Sequence, residues 1–240
     1  MWRLRSLLFN LCFYTLSFLI LTICLPMVVT PRSWQRKVPP VWLWIGLQLE
    51  KYVLGLRYEV IGAENLPPAP YLVAMKHESA WETMRLYDLF GNPAIVLKKE
   101  LMSTPILGNY AHIMDMVPVD RSKGREATTF MVKEARKILT DKRPLVIFPQ
   151  GTRVPPLVKK PYKQGIMRLY EDLNIPLVPV ALNSGVFWGR NAFWKRPGKI
   201  TVRIFSPIAP GLPTDQVAKQ MEELIETESD RLAQEAIAKI

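Results

Sequence analysis

The stretch Leu145-Val146-Ile147-Phe148-Pro149-Gln150-Gly151-Thr152-Arg153 decides the fold. Its first four residues are apolar without alternation, which suits a strand in a sheet covered on both faces. The strand then gives way to a loop in which Gly lets the backbone approach a ligand, Thr offers a hydroxyl, and Arg can grip a phosphate through two parallel N–H bonds. Outward from this point, short apolar runs alternate with longer amphipathic ones from Arg57 onward, with no internal repeat or low-complexity tract. Strands are expected at 58–61, 71–75, 94–97, 116–119, 145–148, 177–182 and 200–205, and helices at 80–90, 104–113, 124–140, 164–173 and 214–238. This alternation predicts an α/β fold with a mostly parallel sheet flanked by helices. Such sheets place ligands beyond the carboxyl ends of their strands. In the last helix Val217, Met221, Leu224, Ile225 and Leu232 form one stripe, which reads as a packing face.

Composition narrows the function. With 240 residues, 49% of them apolar and 22% charged, the chain is neither disordered nor short of core. Its 2 Cys both fall in the N-terminal apolar tract, which excludes a disulfide scaffold and a Cys-rich zinc site. The net charge of +11 is uneven: seven acids and three bases follow from Thr214 on, so residues 1–213 carry +15. A body so charged seeks anionic partners. Nucleic acid is disfavoured because the basic patches lack interleaved aromatics, leaving phosphate-bearing substrates and an anionic membrane surface.

The N-terminus points to the membrane. Between Arg5 and Arg32 lie 26 residues without a charge, and about 20 apolar residues suffice to cross a bilayer core. Cys24-Leu25-Pro26-Met27 offers no small-residue cleavage site, so the segment reads as an anchor and not as a removed signal. A second uncharged stretch, 38–49, is only 12 residues long and suits an interfacial helix. Four of the seven Trp (Trp2, Trp34, Trp42 and Trp44) sit in the first 44 residues, where headgroup anchors are expected. The flanking charges, Arg3 and Arg5 against Arg32, Arg36 and Lys37, set no orientation, so one spanning helix and a two-helix monotopic anchor both remain open. Residues 1–55 are assigned to the anchor and 56–240 to the α/β domain. Removing residues 1–37 is expected to leave residual, salt-sensitive membrane binding through Trp42, Trp44 and the basic face.

Two further loops carry chemistry. Lys76-His77-Glu78-Ser79-Ala80-Trp81-Glu82 follows the expected strand at 71–75. A His in the turn with a carboxylate five residues on, in the first helical turn, makes a base with its orienting acid. No protein nucleophile is needed if the substrate supplies a hydroxyl. Pro118-Val119-Asp120-Arg121-Ser122 again sets an Arg just past an apolar strand.

Together these blocks resemble the membrane glycerolipid acyltransferases, in particular the bacterial 1-acyl-glycerol-3-phosphate acyltransferases. The family's first block, His followed by four residues and an acid, matches His77 and Glu82; its second, ending Asp-Arg, matches Asp120-Arg121. Its third, Pro-Glu-Gly-Thr-Arg, matches Pro149-Gln150-Gly151-Thr152-Arg153, and its fourth, a Pro within an apolar strand, matches Val178-Pro179-Val180. Lys98-Lys99-Glu100-Leu101 with Pro105 and Gly108, and Tyr162-Lys163-Gln164-Gly165, are similar to connecting segments of the family. The likeness covers roughly residues 57–210. Three positions depart from the pattern. Glu82 stands for the commoner Asp and keeps the carboxylate, Gln150 stands for Glu and loses a charge, and Asp115 falls where Gly is common.

The resemblance implies transfer of a fatty acyl group from a thioester, acyl-CoA or acyl carrier protein, to lysophosphatidic acid, giving phosphatidic acid in phospholipid biosynthesis. His77 is implied as general base and Glu82 as its orienter. Lys98, Arg121 and Arg153 are implied to hold the acceptor phosphate, Gln150 to bond a glycerol hydroxyl, and the backbone N–H of Gly151 or Thr152 to stabilise the oxyanion. No metal or cofactor is implied beyond the thioester co-substrate. His112 has no ligand partner at useful spacing and reads as structural. The implied location is the bacterial inner membrane with the catalytic domain on the cytoplasmic side. Another lysolipid acceptor, or a non-catalytic module binding anionic lipid, stays open at this point.

Overall fold

The structure, a computed structural model, describes residues 1–24, 30–35, 37–104 and 107–240. Residues 25–27 of the stretch weighed for cleavage, Arg36, Pro105 and the side chains of Arg32 and Arg121 lie outside the described residues. Seven strands, β1 (Leu56–Ile61), β2 (Leu72–Met75), β3 (Ala94–Lys98), β4 (Val117–Val119), β5 (Leu145–Ile147), β6 (Leu177–Leu182) and β7 (Gly198–Ile204), form one sheet in the order β1-β7-β6-β2-β5-β3-β4. Every neighbouring pair is parallel except β6–β7, so β1 and β7 run against the other five. The helices are α1 (Trp2–Cys24), α2 (Arg32–Gln35), α3 (Val38–Leu49), α4 (Trp81–Phe90), α5 (Leu107–Ile113), α6 (Gly124–Thr140), α7 (Gly165–Leu173), α8 (Ser184–Phe187) and α9 (Thr214–Ile237).

The central strands lack alternation because both faces are covered. Along β2, Leu72 and Ala74 face a core with Met131, Ile166 and Met221, while Val73 and Met75 face a second core with Leu54, Trp81 and Phe9. All four β2 residues are fully buried. Helix α6 buries Ala127, Met131, Val132, Ala135 and Ile138, the i, i+4, i+8 pattern of an amphipathic helix laid on a sheet. In α9 the buried stripe is Val217, Met221, Ile225 and Leu232. Leu224, expected in that stripe, is only partly buried, and the polar Glu226 and Ser229 are buried instead. Asp115 has φ +52° and so adopts the left-handed turn a Gly would take, a conformation Asp tolerates better than most residues.

Helix α1 is long and apolar enough to cross a membrane, yet one of its faces belongs to the globular body. Ser6, Phe9 and Asn10 are buried. The Lys195 backbone N–H donates to Ser6 Oγ at 2.9 Å, Lys195 Nζ donates to Asn10 Oδ1 at 2.7 Å, and Asn10 Nδ2 donates to the Phe193 carbonyl at 2.9 Å. Further along, Trp42 Nε1 of α3 donates to Ser17 Oγ at 2.8 Å. Helix α3 runs on through a wider turn, Glu50–Leu54, and stops at Gly55, whose φ of +74° ends the helix. A Cβ there would lie 2.7 Å from the Arg5 guanidinium. Within that turn buried Glu50 accepts from Arg85 Nη2 at 2.7 Å and Trp81 Nε1 at 3.0 Å, fastening the end of α3 to α4. Burial raises the Glu50 carboxyl above its ordinary range, and Arg85 pulls against that rise.

Candidate active site

β2 and β5 are neighbours with Ala74 opposite Ile147, so the loops that leave their carboxyl ends emerge side by side. The first loop carries His77 and the second Gly151, Thr152 and Arg153. The Val154 N–H donates to the His77 carbonyl at 2.7 Å, and the His77 ring stacks on Phe148 with centroids 4.0 Å apart. Two motifs more than seventy positions apart thus form one rigid corner.

Glu82 sits in the first turn of α4 and is fully buried. Its Oε1 accepts the backbone N–H groups of Glu78 and Ser79, both at 2.7 Å, and faces His77 Nδ1 at 2.8 Å. Its Oε2 accepts from Ser184 Oγ at 2.8 Å. A carboxylate ringed by donors requires Nδ1 to carry the imidazole proton, which leaves Nε2 as the lone-pair nitrogen for the cavity that His77 lines. Beside this dyad, Glu78 is buried and its Oε2 accepts the Gly185 N–H at 2.9 Å. Burial, with Glu82 and Glu226 adding to it, pushes the Glu78 carboxyl up to about 8 against the opposing Gly185 bond and Lys76 charge.

The cavity is large, about 1520 Å³, beyond the ~300–1,000 Å³ of ordinary small-molecule sites. Its lining includes Lys98, Arg153, Lys163 and Arg190 with His77, and no Asp or Glu is among its described lining residues. Arg153 holds a buried Nε with no partner among the described residues, a donor available to a ligand. The same wall carries apolar Met84, Ile95, Leu97 and Ile113, and it extends to Phe18 of α1 and Trp42 of α3.

The structure thus brings His77, Glu82, Lys98, Gly151, Thr152 and Arg153 together. Arg121 lies at the start of a short turn after β4, and its side chain is outside the described residues. Two expectations are refined. Gln150 does not line the cavity: it is 1% exposed, and its Nε2 donates to Glu226 Oε1 at 3.0 Å. The Gly151 N–H is used in the tight turn, donating to the Phe148 carbonyl at 2.9 Å, so Thr152 is the better placed of the two oxyanion donors. Asp120 accepts from the Ser122 N–H and hydroxyl and from Lys99, which shapes its loop. Sequence reasoning missed Ser184, Arg190 and Glu226. Ser184 and Arg190 lie in the β6–β7 connection, and no local pattern marks them as neighbours of Glu82 or Arg153.

The fold and this corner define a class. The family model described as Acyltransferase matches residues 57–183. The chain is 35% identical over 190 residues to the 1-acyl-sn-glycerol-3-phosphate acyltransferase of Pseudomonas aeruginosa, covering 79% of this chain and 72% of that protein. It is 31% identical over 188 residues to the Saccharomyces cerevisiae protein of the same name, covering 76% of this chain and 62% of that one. The crystal structure of the 1-acyl-sn-glycerophosphate (LPA) acyltransferase, PlsC, from Thermotoga maritima matches with a TM-score of 0.72 at 22% identity, covering 97% of this chain and 98% of that one, and so shares its fold. The chain belongs to the acyltransferase family, and the resemblance read from its motifs holds.

Proposed function

We propose that the chain is a 1-acylglycerol-3-phosphate O-acyltransferase, moving a fatty acyl group from a thioester to the free hydroxyl of lysophosphatidic acid to give phosphatidic acid. The observation that carries this is a single cavity whose described lining holds an oriented imidazole, four cations, no carboxylate and an extensive set of apolar side chains. Relatives named for this reaction support it. His77 Nε2 takes the hydroxyl proton as that oxygen attacks the thioester carbonyl. Glu82 stabilises the imidazolium, and the Thr152 N–H faces the oxyanion. Collapse of the tetrahedral intermediate breaks the C–S bond, and the imidazolium returns its proton to the leaving thiolate. Arg153 and Lys98, with Arg121, Lys163 and Arg190, supply the positive field for the phosphate. The chemistry needs no metal or further cofactor.

The loss of an acidic side chain at Gln150 does not argue for a different head group, because Gln150 is turned away from the cavity wall. The donor is an acyl-CoA or an acyl carrier protein thioester, both of which present the same reacting atoms. The anchor at 1–55 seats the 56–240 domain on an anionic membrane, with α1 and α3 at the cavity mouth. A monotopic seat fits best, because α1 is held to the body as far as Asn10. The described part of α1 beyond Asn10, residues 11–24, reaches roughly 21 Å at 1.5 Å each, against a ~30 Å core. With donors made in the cytosol, the cytoplasmic face of the bacterial inner membrane is the assigned location.

The test is a purified-protein assay with lysophosphatidic acid and a zwitterionic lysolipid as acceptors and both donor types. The expected result is acceptor-dependent thioester consumption that favours lysophosphatidic acid. No consumption with any pair, or a preference for the zwitterionic acceptor, overturns the reading.

A further inference from the structure

Three side chains that do not line the cavity converge on one carboxylate. Glu226, midway along α9, is 5% exposed, and its Oε2 lies 2.5 Å from Lys76 Nζ. Its Oε1 accepts from Gln150 Nε2 at 3.0 Å and from the Tyr162 hydroxyl at 2.8 Å. Lys76 is fully buried and immediately precedes His77, and Gln150 immediately precedes the Gly151–Thr152–Arg153 turn. A buried ammonium needs a paired charge, and among the described residues Glu226 is the carboxylate in contact with it. Among the described residues Gln150 Oε1 is buried without a partner, so the Gln150 side chain is held there through Nε2.

We propose that Glu226 is a positioning residue for acyl transfer: by clamping Lys76 and Gln150 to one point on α9, it sets the spacing between the His77 imidazole and the Thr152–Arg153 turn. The inference rests on the acyl-transfer reading above. It also accounts for Gln150 standing where the family block has Glu. The negative charge sits one hydrogen bond away, on a helix outside the residues 57–183 matched by the family model.

The test compares Glu226→Gln, the charge-moved double variant Gln150→Glu/Glu226→Gln, and the apolar replacement Lys76→Met/Glu226→Leu. The last removes both charges together and so keeps the fold without leaving either uncompensated. Misplacement of catalytic groups by about 1 Å can cost ~10²-fold, so Glu226→Gln and the apolar pair should lose about 10–100-fold in kcat with KM within about threefold. The double variant should recover to within about threefold of wild type. An apolar pair that folds and keeps wild-type kcat, or a double variant as impaired as Glu226→Gln, overturns the inference. A second readout needs no substrate. In a His112→Asn background His77 is the one remaining imidazole, and its rate of modification by diethyl pyrocarbonate should change about threefold or more in Glu226→Gln as the loop loosens, and return in the double variant. An unchanged rate also overturns the inference. Failure of the functional reading looks different: wild type itself would be inert in the transfer assay.

Discussion

At the residue scale, chemistry concentrates on two side chains with opposite surroundings. Glu82 is ringed by donors and faces a partner imidazole, whereas Glu78, four positions earlier, has one backbone donor on its side chain and a buried site. His77→Ala should therefore lower kcat by about 10²–10⁴-fold. Glu82→Gln should also act on kcat, since an amide nitrogen placed among those donors would repel what it ought to bind. Steady-state kinetics with far-UV circular dichroism as a folding control check both. Glu78 makes a separate forecast. Its carboxyl is raised from 4.5 to about 8 in the folded state, so the folded protein holds a proton that the unfolded chain has released. The stability this gives is full below about 4.5 and is lost as pH rises through about 8. Glu78→Gln keeps a side-chain acceptor for the Gly185 N–H and has nothing to ionise. Its Tm should fall less than wild type between pH 5 and pH 8.5, as scanning calorimetry would record; parallel curves would refute the assignment. Arg153→Ala should raise KM for lysophosphatidic acid about 10–100-fold, as the loss of a charge-assisted contact of roughly 1.5–3 kcal/mol implies. Arg153→Lys should rescue it only in part, because a point charge lacks the planar fork.

At the scale of elements, the first and third motif blocks were legible because each follows a continuous apolar strand, and the strands expected at 71–75 and 145–148 match β2 and β5 within one residue at each end. What could not be read was which distant element closes the site. Ser184 opens the four-residue α8 and reaches Glu82 across 102 positions. In α9 the 3.6-residue period disclosed the packing face but not Glu226, because a polar residue on a buried face looks the same in sequence as one turned to solvent. Leu224 erred in the opposite sense. α8 supports a sharp test of this closure. A Cβ on Gly185 would lie 2.8 Å from Pro156 Cδ and 2.9 Å from Glu78 Cβ, and neither atom is the far end of a flexible chain. Gly185→Ala must therefore shift α8, drawing Ser184 from Glu82. It should lower kcat about tenfold or more along with Tm, whereas Ser184→Ala should lower kcat with little change in Tm. Equal behaviour of the two variants would mean that α8 serves packing alone.

On the scale of the whole molecule, the membrane element and the enzyme share one helix, and its two faces should be separable. The exposed face of α1 carries Leu4, Leu7, Leu8, Leu11, Tyr14 and Phe18, at three- and four-residue steps, so these residues line up along one side. The other face carries Ser6, Phe9 and Asn10, which are buried against the body. Truncation at residue 37, expected from sequence to leave residual, salt-sensitive membrane binding, would also strip Phe9 from the core and Phe18 from the cavity wall, and so cannot isolate the anchor. Point variants can. Leu4→Gln/Leu8→Gln/Leu11→Gln should weaken sedimentation with anionic vesicles and leave Tm in detergent nearly unchanged, because those side chains are exposed on the face turned from the body. Asn10→Leu should do the reverse. It keeps the helix apolar but strips Lys195 Nζ of its side-chain partner, leaving a buried ammonium over Trp188 and Phe9. Loss of a charge-assisted bond of about 1.5–3 kcal/mol corresponds to a Tm drop of roughly 3–12 °C for a chain of this size, with vesicle binding intact. If Asn10→Leu instead released the protein from vesicles at unchanged Tm, α1 would have to leave the body when it meets the membrane, and the monotopic seat would give way to a spanning helix.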